Sequence, residues 1–257
     1  MKRQSTRKTI LILSFLFFPI TIYYFSPILI IQGISQGIIT GSFILFTFLF
    51  VLSLFLGRSF CGWLCPAGGL QEICMVATNK KPKLGKLNWI KYYVWVFWIG
   101  LILGITKSVG VIDTVDVFYK TKHGISVSEP YAYIVYYTVV GLIIFMSFMF
   151  GNRSFCHYMC WMAPFMVIGD KIRNLIKLPS LHLVADKNKC VNCKLCNKSC
   201  AMGLSTNEMV QKSSIENSEC ILCGQCADAC PQGAIKYCFK NLHIHEQTKN
   251  DDYEYTE

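Results

Sequence analysis

Two runs of cysteine towards the C-terminal end carry the plainest chemistry in the chain. Cys190, Cys193, Cys196 and Cys200 follow the spacing C-x2-C-x2-C-x3-C, and Cys220, Cys223, Cys226 and Cys230 repeat it. Three thiolates at these intervals can wrap three corners of one [4Fe–4S] cubane on a tight loop, while the fourth thiolate of each run reaches the other cluster. The spacing therefore predicts one cluster on Cys190, Cys193, Cys196 and Cys230 and a second on Cys200, Cys220, Cys223 and Cys226. Zinc is the competing reading. Zinc sites pair two C-x2-C knuckles, or a knuckle with histidines, and three cysteines at this spacing, twice over, do not follow that plan. Lys187, Lys189, Lys194 and Lys198 surround the first run. They make either an electropositive face for an acidic donor or a merely solvated one.

A second cysteine set lies upstream. Arg58-Ser59-Phe60-Cys61 recurs as Arg153-Ser154-Phe155-Cys156, and in each copy another cysteine follows four residues later, at Cys65 and Cys160. On a helix, C-x3-C sets two thiols one turn apart on one face. If the two copies meet, four thiols come together, and three readings are open: a further metal or iron–sulfur site, a pair of redox-active thiols, or buried cysteines acting as small hydrophobes. Arg58 and Arg153 could pair with a buried anion or a cluster charge, and lipid headgroups account for them equally well. His157 could hydrogen-bond a quinone or a sulfur, or be a satisfied interface histidine. Cys74 and Cys238 stand alone and read as packed or surface thiols.

The elements that must position these cysteines are of two kinds. Of the 257 residues, 53% are hydrophobic and 16% charged, against about a quarter charged in a soluble domain. The apolar runs lie between residues 10 and 150, while most of the 14 cysteines come after 150. A bilayer crossing takes about 20 apolar residues, and four stretches approach that length: 10–31, 38–56, 89–106 and 131–150. Pro19 and Pro27 interrupt the first and predict a kink or early end. The fold class expected is thus a membrane all-α domain of four transmembrane helices followed by a small α+β domain like the two-cluster bacterial ferredoxins.

Orientation follows from the basic residues. Lys2, Arg3, Arg7 and Lys8, and then Lys80, Lys81, Lys83 and Lys86, flank the apolar runs and predict cytoplasmic loops. The mixed loop 107–130, with Asp113, Asp116 and Glu129, fits the outer face. Both termini and the cluster domain would then lie on the cytoplasmic side of a multi-pass inner-membrane protein. The expected organisation is a membrane domain over 1–168, with both Cys-x3-Cys motifs on its cytoplasmic face, and a basic linker over 169–185. The two-cluster domain follows over 186–240, and a polar, disordered tail over 241–257. The linker reads as a short amphipathic helix on the lipid surface.

The net charge of +10 belongs to these membrane-flanking clusters, so nucleic acid is not an expected partner. The predicted spans hold no histidine, which argues against bis-histidine haem, and no charged relay, which argues against an ion pump. Neither Gly-x4-Gly-Lys-Ser/Thr nor Gly-x-Gly-x-x-Gly occurs, so ATP and NADH are not evident substrates.

Residues 186–237 resemble the bacterial two-cluster ferredoxin domain, with Cys230-Pro231 and the following Gln-Gly-Ala-Ile in the second half; Ala201 stands where the first half would have proline. The wider chain, with Cys61-Gly-Trp-Leu-Cys65-Pro66 and the pair Cys156 and Cys160, is similar to membrane ferredoxins of the NapH type and shares parts with NosR and CcoG proteins. Trp161 occupies the proline position of the second motif. The resemblance implies an electron-transfer subunit, a component of a quinol dehydrogenase, that relays electrons between the quinone pool or a cytoplasmic donor and a reductase or partner iron–sulfur protein. It implies two [4Fe–4S] clusters as cofactors, with a third site and a bound quinone as open additions. A membrane redox sensor and a metal-reducing maturation factor are the alternatives.

Overall fold

A computed structural model describes residues 2–78, 80–82, 85–110, 114–213 and 215–240. The expected tail over 241–257, and Lys83 and Asp113 of the predicted loops, lie outside the described residues. The first apolar stretch is broken where its prolines predict. Helix α1 (Lys2–Leu16) ends before Phe17, and α2 (Phe18–Thr21), with Pro19 in its first turn, runs into a 3-10 turn over Ile22–Phe25. The two parts meet at 56°. Pro27 then opens α3 (Pro27–Ser35). Proline has no N–H to give the preceding turn, so each break falls where that missing bond costs least.

Strand β1 (Ile38–Thr40) leads into α4 (Gly41–Leu56), α5 (Ser59–Trp63) and α6 (Pro66–Ala77). Helix α7 (Ile90–Val109) follows, then β2 (Thr114–Asp116), which pairs in parallel with β1, and α8 (Pro130–Phe150). Two helical stretches, Leu87–Val109 and Pro130–Phe150, are long and apolar enough to cross a membrane, and the bent pair Lys2–Phe25 makes a third. The fourth expected crossing, 38–56, differs. Its first three residues form β1, and the 16 residues of α4 rise only about 24 Å, short of a bilayer core of about 30 Å.

The second copy of the repeat gives α9 (Ser154–Tyr158) and α10 (Ala163–Leu175). The copies match bond for bond: the amides of Leu64 and Cys65 both donate to the Phe60 carbonyl, and those of Met159 and Cys160 both donate to the Phe155 carbonyl. Pro164, displaced from the expected motif position, still sits in the first turn of the helix that follows, as Pro66 does in α6. The helices then cross over. Helix α6, from the first copy, packs on α8, and α10, from the second, packs on α4. This exchange is what brings the two Cys-x3-Cys loops face to face.

The stretch expected as a linker, 169–185, is instead part of the packed body. It holds the second half of α10 and strand β3 (Ser180–Ala185), which pairs antiparallel with β4 (Ile235–Lys240) over its full length. Gly169 lets α10 approach α4 closely; a Cβ there would collide with Ser53. Arg173 is 4% exposed and bonded to Asp170, the Leu181 carbonyl and His182, so this side of α10 faces protein, while Lys171 and Leu175 stay exposed. Helices α11 (Leu195–Ser199), α12 (Thr206–Gln211) and α13 (Gln225–Asp228) complete the cysteine-rich region. Cys238 packs into β4 opposite His182.

Candidate iron–sulfur centres

The backbone repeats around the two cysteine runs. Asn192 and Lys194 flank Cys193 in the left-handed region, at φ 56° and 58°, and Leu222 and Gly224 flank Cys223 likewise, at φ 49° and 71°. Left-handed residues on both sides of the second cysteine curl each loop around a concavity, a conformation that costs a non-glycine residue of the order of 1 kcal/mol. Lys194 and Gly224 then cap α11 and α13, which carry Cys196 and Cys226.

Each loop surrounds a cavity. Cys190, Cys193, Cys196 and Cys230 line one, with an empty volume of about 340 Å³ including its open side. Cys200, Cys220, Cys223 and Cys226 line the other, of about 360 Å³. The fourth thiol of each run thus lines the other run's cavity. Apolar side chains fill the walls, Val210, Ala234 and Ile235 in the first and Met202, Leu204, Met209 and Ile221 in the second. Among the described residues, no three His, Cys, Asp or Glu side chains converge tightly enough to hold one metal ion. All-thiol cavities of this breadth suit a multi-iron cluster better than zinc.

Amides point at the sulfurs. The N–H groups of Leu222, Gln225 and Ala227 donate to Cys220, Cys223 and Cys226, and the Ala234 amide donates to Cys230 Sγ at 3.4 Å. Gln211 Nε2 reaches Cys190 Sγ at 3.5 Å. Burial pushes the Cys220 thiol up to about 12 and Cys226 higher still, so without metal these thiols keep their protons and ligation must remove them.

The upstream cysteines lie in one buried neighbourhood. Cys65 is buried within electrostatic reach of Cys61, Cys156 and Cys160. Burial drives the Cys65 thiol well above its ordinary value and Cys160 to about 12. Cys61 and Cys156 also belong to one apolar cluster with Met166, Met202, Leu204, Ile221 and Cys223, against which Cys200 and Cys220 pack. Gly62 makes this approach possible, because a Cβ there would strike the Ile221 carbonyl oxygen. Trp63 Nε1 donates to the Leu222 carbonyl at 3.1 Å. The Cys-x3-Cys loops therefore abut the second ferredoxin loop directly.

The repeated arginines are not at the lipid headgroups. Arg58 and Arg153 are 1% and 0% exposed. Arg58 Nη1 lies 3.1 Å from Glu219, which Lys91 Nζ also meets at 2.5 Å. Arg153 and Arg7 share Glu72, at 2.8 and 2.5 Å. Burial alone would raise the Glu219 carboxyl, but the charges of Arg58 and Lys91 outweigh it and hold it at about 2. Arg58 Nε and Nη2 and Arg153 Nε are buried without a hydrogen bond to the protein, and both guanidiniums act electrostatically on Cys61, countering the rise that burial imposes on its thiol. Buried guanidiniums with N–H groups to spare beside Cys61 and Cys156 fit a site whose occupied form is anionic. His157 is fully buried, its Nε2 3.1 Å from the Met202 carbonyl oxygen, and burial lowers its pKa to about 4; it is enclosed too deeply to meet a quinone. The sequence reading missed Glu72, Glu219 and Arg7. The Arg-Ser-Phe-Cys repeat signalled that partners must exist, but nothing in the spacing named them.

Comparison with known proteins agrees with this geometry. The 4Fe-4S binding domain matches twice, over residues 38–85 and 132–179, each match covering one Cys-x3-Cys unit. The 4Fe-4S dicluster domain matches residues 189–235. The chain is an iron–sulfur protein. It is 28% identical, over 80% of its length and 77% of the relative's, to an uncharacterized protein of Methanocaldococcus jannaschii. It is 21% identical to YccM of Escherichia coli, whose name assigns that protein to electron transport, over 80% of this chain and 60% of YccM. It is 28% identical to the regulatory protein NosR of Pseudomonas aeruginosa over 74% of this chain, a match that spans only 27% of NosR. No solved structure matches it.

Proposed function

We propose that this protein is a membrane-anchored electron carrier that relays electrons between the quinone pool and a cytoplasmic reductase or partner iron–sulfur protein. Cys190, Cys193, Cys196 and Cys230 would hold one [4Fe–4S] cluster and Cys200, Cys220, Cys223 and Cys226 a second. Cys61, Cys65, Cys156 and Cys160 would hold a third iron–sulfur site. The domain reading is a membrane body over 1–168 and a two-cluster domain over 186–240, joined through the packed segment 169–185. The single observation that carries the proposal is that each cavity draws its four cysteines from both runs. The electron-transport name of YccM and the resemblance to NapH-type ferredoxins point the same way.

Clusters bound at these cysteines supply one-electron carriers. The chain's own part is to arrange and tune them. Amide donors to Cys220, Cys223, Cys226 and Cys230 disperse negative charge on the sulfurs and favour the reduced state. The apolar walls around Cys200, Cys220 and Cys223 keep water from the path towards Cys61 and Cys156. Arg58 and Arg153 offset the anionic charge of ligated thiolates where water cannot. Arg3 pairs with Asp228, and Gln4 with the Cys223 carbonyl, so the N-terminus and the two-cluster domain lie on one side. The basic flanks assign that side to the cytoplasm.

Anaerobic purification in detergent with iron and sulfide counting tests the reading. Three sites predict about 12 iron atoms per chain and two predict about 8, since each cubane holds four. Cys61→Ser with Cys156→Ser should remove about four of them and leave the ferredoxin EPR signals in place. A colourless protein holding zinc sinks the proposal. Reduction by a soluble ferredoxin but not by a reduced quinol sinks its quinone branch.

A further inference from the structure

The two cluster loops carry opposite charge. Residues 186–200 hold four lysines and one aspartate, while residues 216–230 hold two glutamates and one aspartate with no lysine or arginine. In the second loop Glu219 is buried and held by Arg58 and Lys91, while Glu216 and Asp228 are exposed, Asp228 paired with Arg3. The basic loop faces outward. Lys187, Lys194 and Lys198 are exposed, and Lys189 is engaged with Asp186 at 3.5 Å. Lys81 extends the patch by donating to the Asn197 carbonyl at 2.5 Å. Glu208, exposed on α12, is the acidic residue of the neighbouring helix.

Inside this basic patch lie two apolar side chains, Val191 at 62% and Leu195 at 41% exposed. Between them in sequence is Cys193, the one exposed member of the eight ferredoxin cysteines among the described residues. Cys193 and Lys194 also line the first cavity. The same side chains thus edge the cluster cavity and meet solvent. A small apolar centre in a cationic patch is the complement of an acidic redox protein with an apolar contact around its own centre.

We propose that the face over residues 187–198 is the docking surface for a small acidic electron-transfer protein, and that Cys193 marks the port through which the electron crosses. This rests on the electron-carrier reading. One electron leaves the reduced partner and enters the first centre; no bond forms and no proton moves.

The test is a binding titration on the intact, cluster-loaded protein in detergent, with an acidic plant-type [2Fe–2S] ferredoxin as probe and basic cytochrome c as control. Lys187→Glu with Lys198→Glu should weaken ferredoxin binding by about tenfold or more and flatten its salt dependence. Iron content and EPR signals should stay unchanged. The milder Lys187→Gln with Lys198→Gln should give an intermediate loss. Ferredoxin affinity that is independent of salt, or unchanged in both double variants, overturns the docking surface. Binding that behaves as expected, in a protein whose centres the reduced ferredoxin cannot reduce, leaves the surface standing and overturns the electron-carrier reading instead.

Discussion

The loops around Cys190–Cys200 and Cys220–Cys230 share one ligand spacing and one backbone path, yet meet opposite surroundings. Both use left-handed residues around the second cysteine, and both place a short helix behind the third. One is ringed by lysines and leaves Cys193 in solvent; the other sends Glu219 into a buried nest of Arg58 and Lys91. Ligand geometry therefore specifies what a loop can hold, and the charges between the ligands specify what it faces. A buried ion pair at this boundary makes orientation specific, because either partner alone would be an uncompensated charge in an apolar surrounding.

The contrast is broken most severely by removing the inward anchor. Glu219→Ala leaves Arg58 and Lys91 facing each other without a counter-charge, and should cost about 3–5 kcal/mol. Thermal unfolding in detergent would show a large fall in midpoint, with the two-cluster domain becoming sensitive to protease. Lys187→Ala on the outward loop should leave both unchanged.

A smaller effect is expected at the contact between the Cys-x3-Cys loop and the second ferredoxin loop. Gly62→Ala must push the Ile221 carbonyl away, at a cost of about 1–3 kcal/mol. Its signature is selective: magnetic coupling or EPR line shape at the centre lined by Cys200, Cys220, Cys223 and Cys226 should change, while the centre lined by Cys193 should not. Equal changes at both would mean that the inner and outer loops are not mechanically distinct.

Acid should loosen the inner loop alone. Glu219 is held at about 2, below its ordinary 4.5. A depressed carboxyl contributes stability that is fully present above the unfolded value and is lost as pH falls from about 4.5 through 2. Fluorescence of Trp63, which donates to the Leu222 carbonyl, should report that loosening in this window. Glu219→Gln should flatten the acid limb, since glutamine has no proton to gain; an unchanged limb would assign the transition to other carboxylates.

Much of the chemistry was legible in the chain because it is local. C-x2-C-x2-C-x3-C is set by the reach of a few residues around a cubane, and proline positions dictate helix breaks at Pro19 and Pro27 through a missing N–H. The Arg-Ser-Phe-Cys repeat likewise announced two matched loops. The segment 169–185 misread as a linker because its Lys171, Arg173 and Lys177 alternate with apolar residues as a lipid-surface helix would. Its packing is set by contacts the pattern does not show: Gly169 against Ser53 of α4, and Arg173 bonded to Asp170 and His182. The 38–56 stretch is continuously apolar, and hydropathy cannot see that β2 captures its first three residues.

The sequence by itself determined the two matched cysteine spacings and the presence of long apolar helices upstream of them, because ligand spacing and hydropathy are properties of short stretches. Only the tertiary structure decided that α6 and α10 cross to the opposite repeat, that Arg58 and Arg153 are buried on Glu219 and Glu72, and that Cys61 and Cys156 lie against the second ferredoxin loop. Those are pairings between residues up to 161 positions apart. They are selected by the free energy of burying charge and apolar surface together, which no single segment encodes.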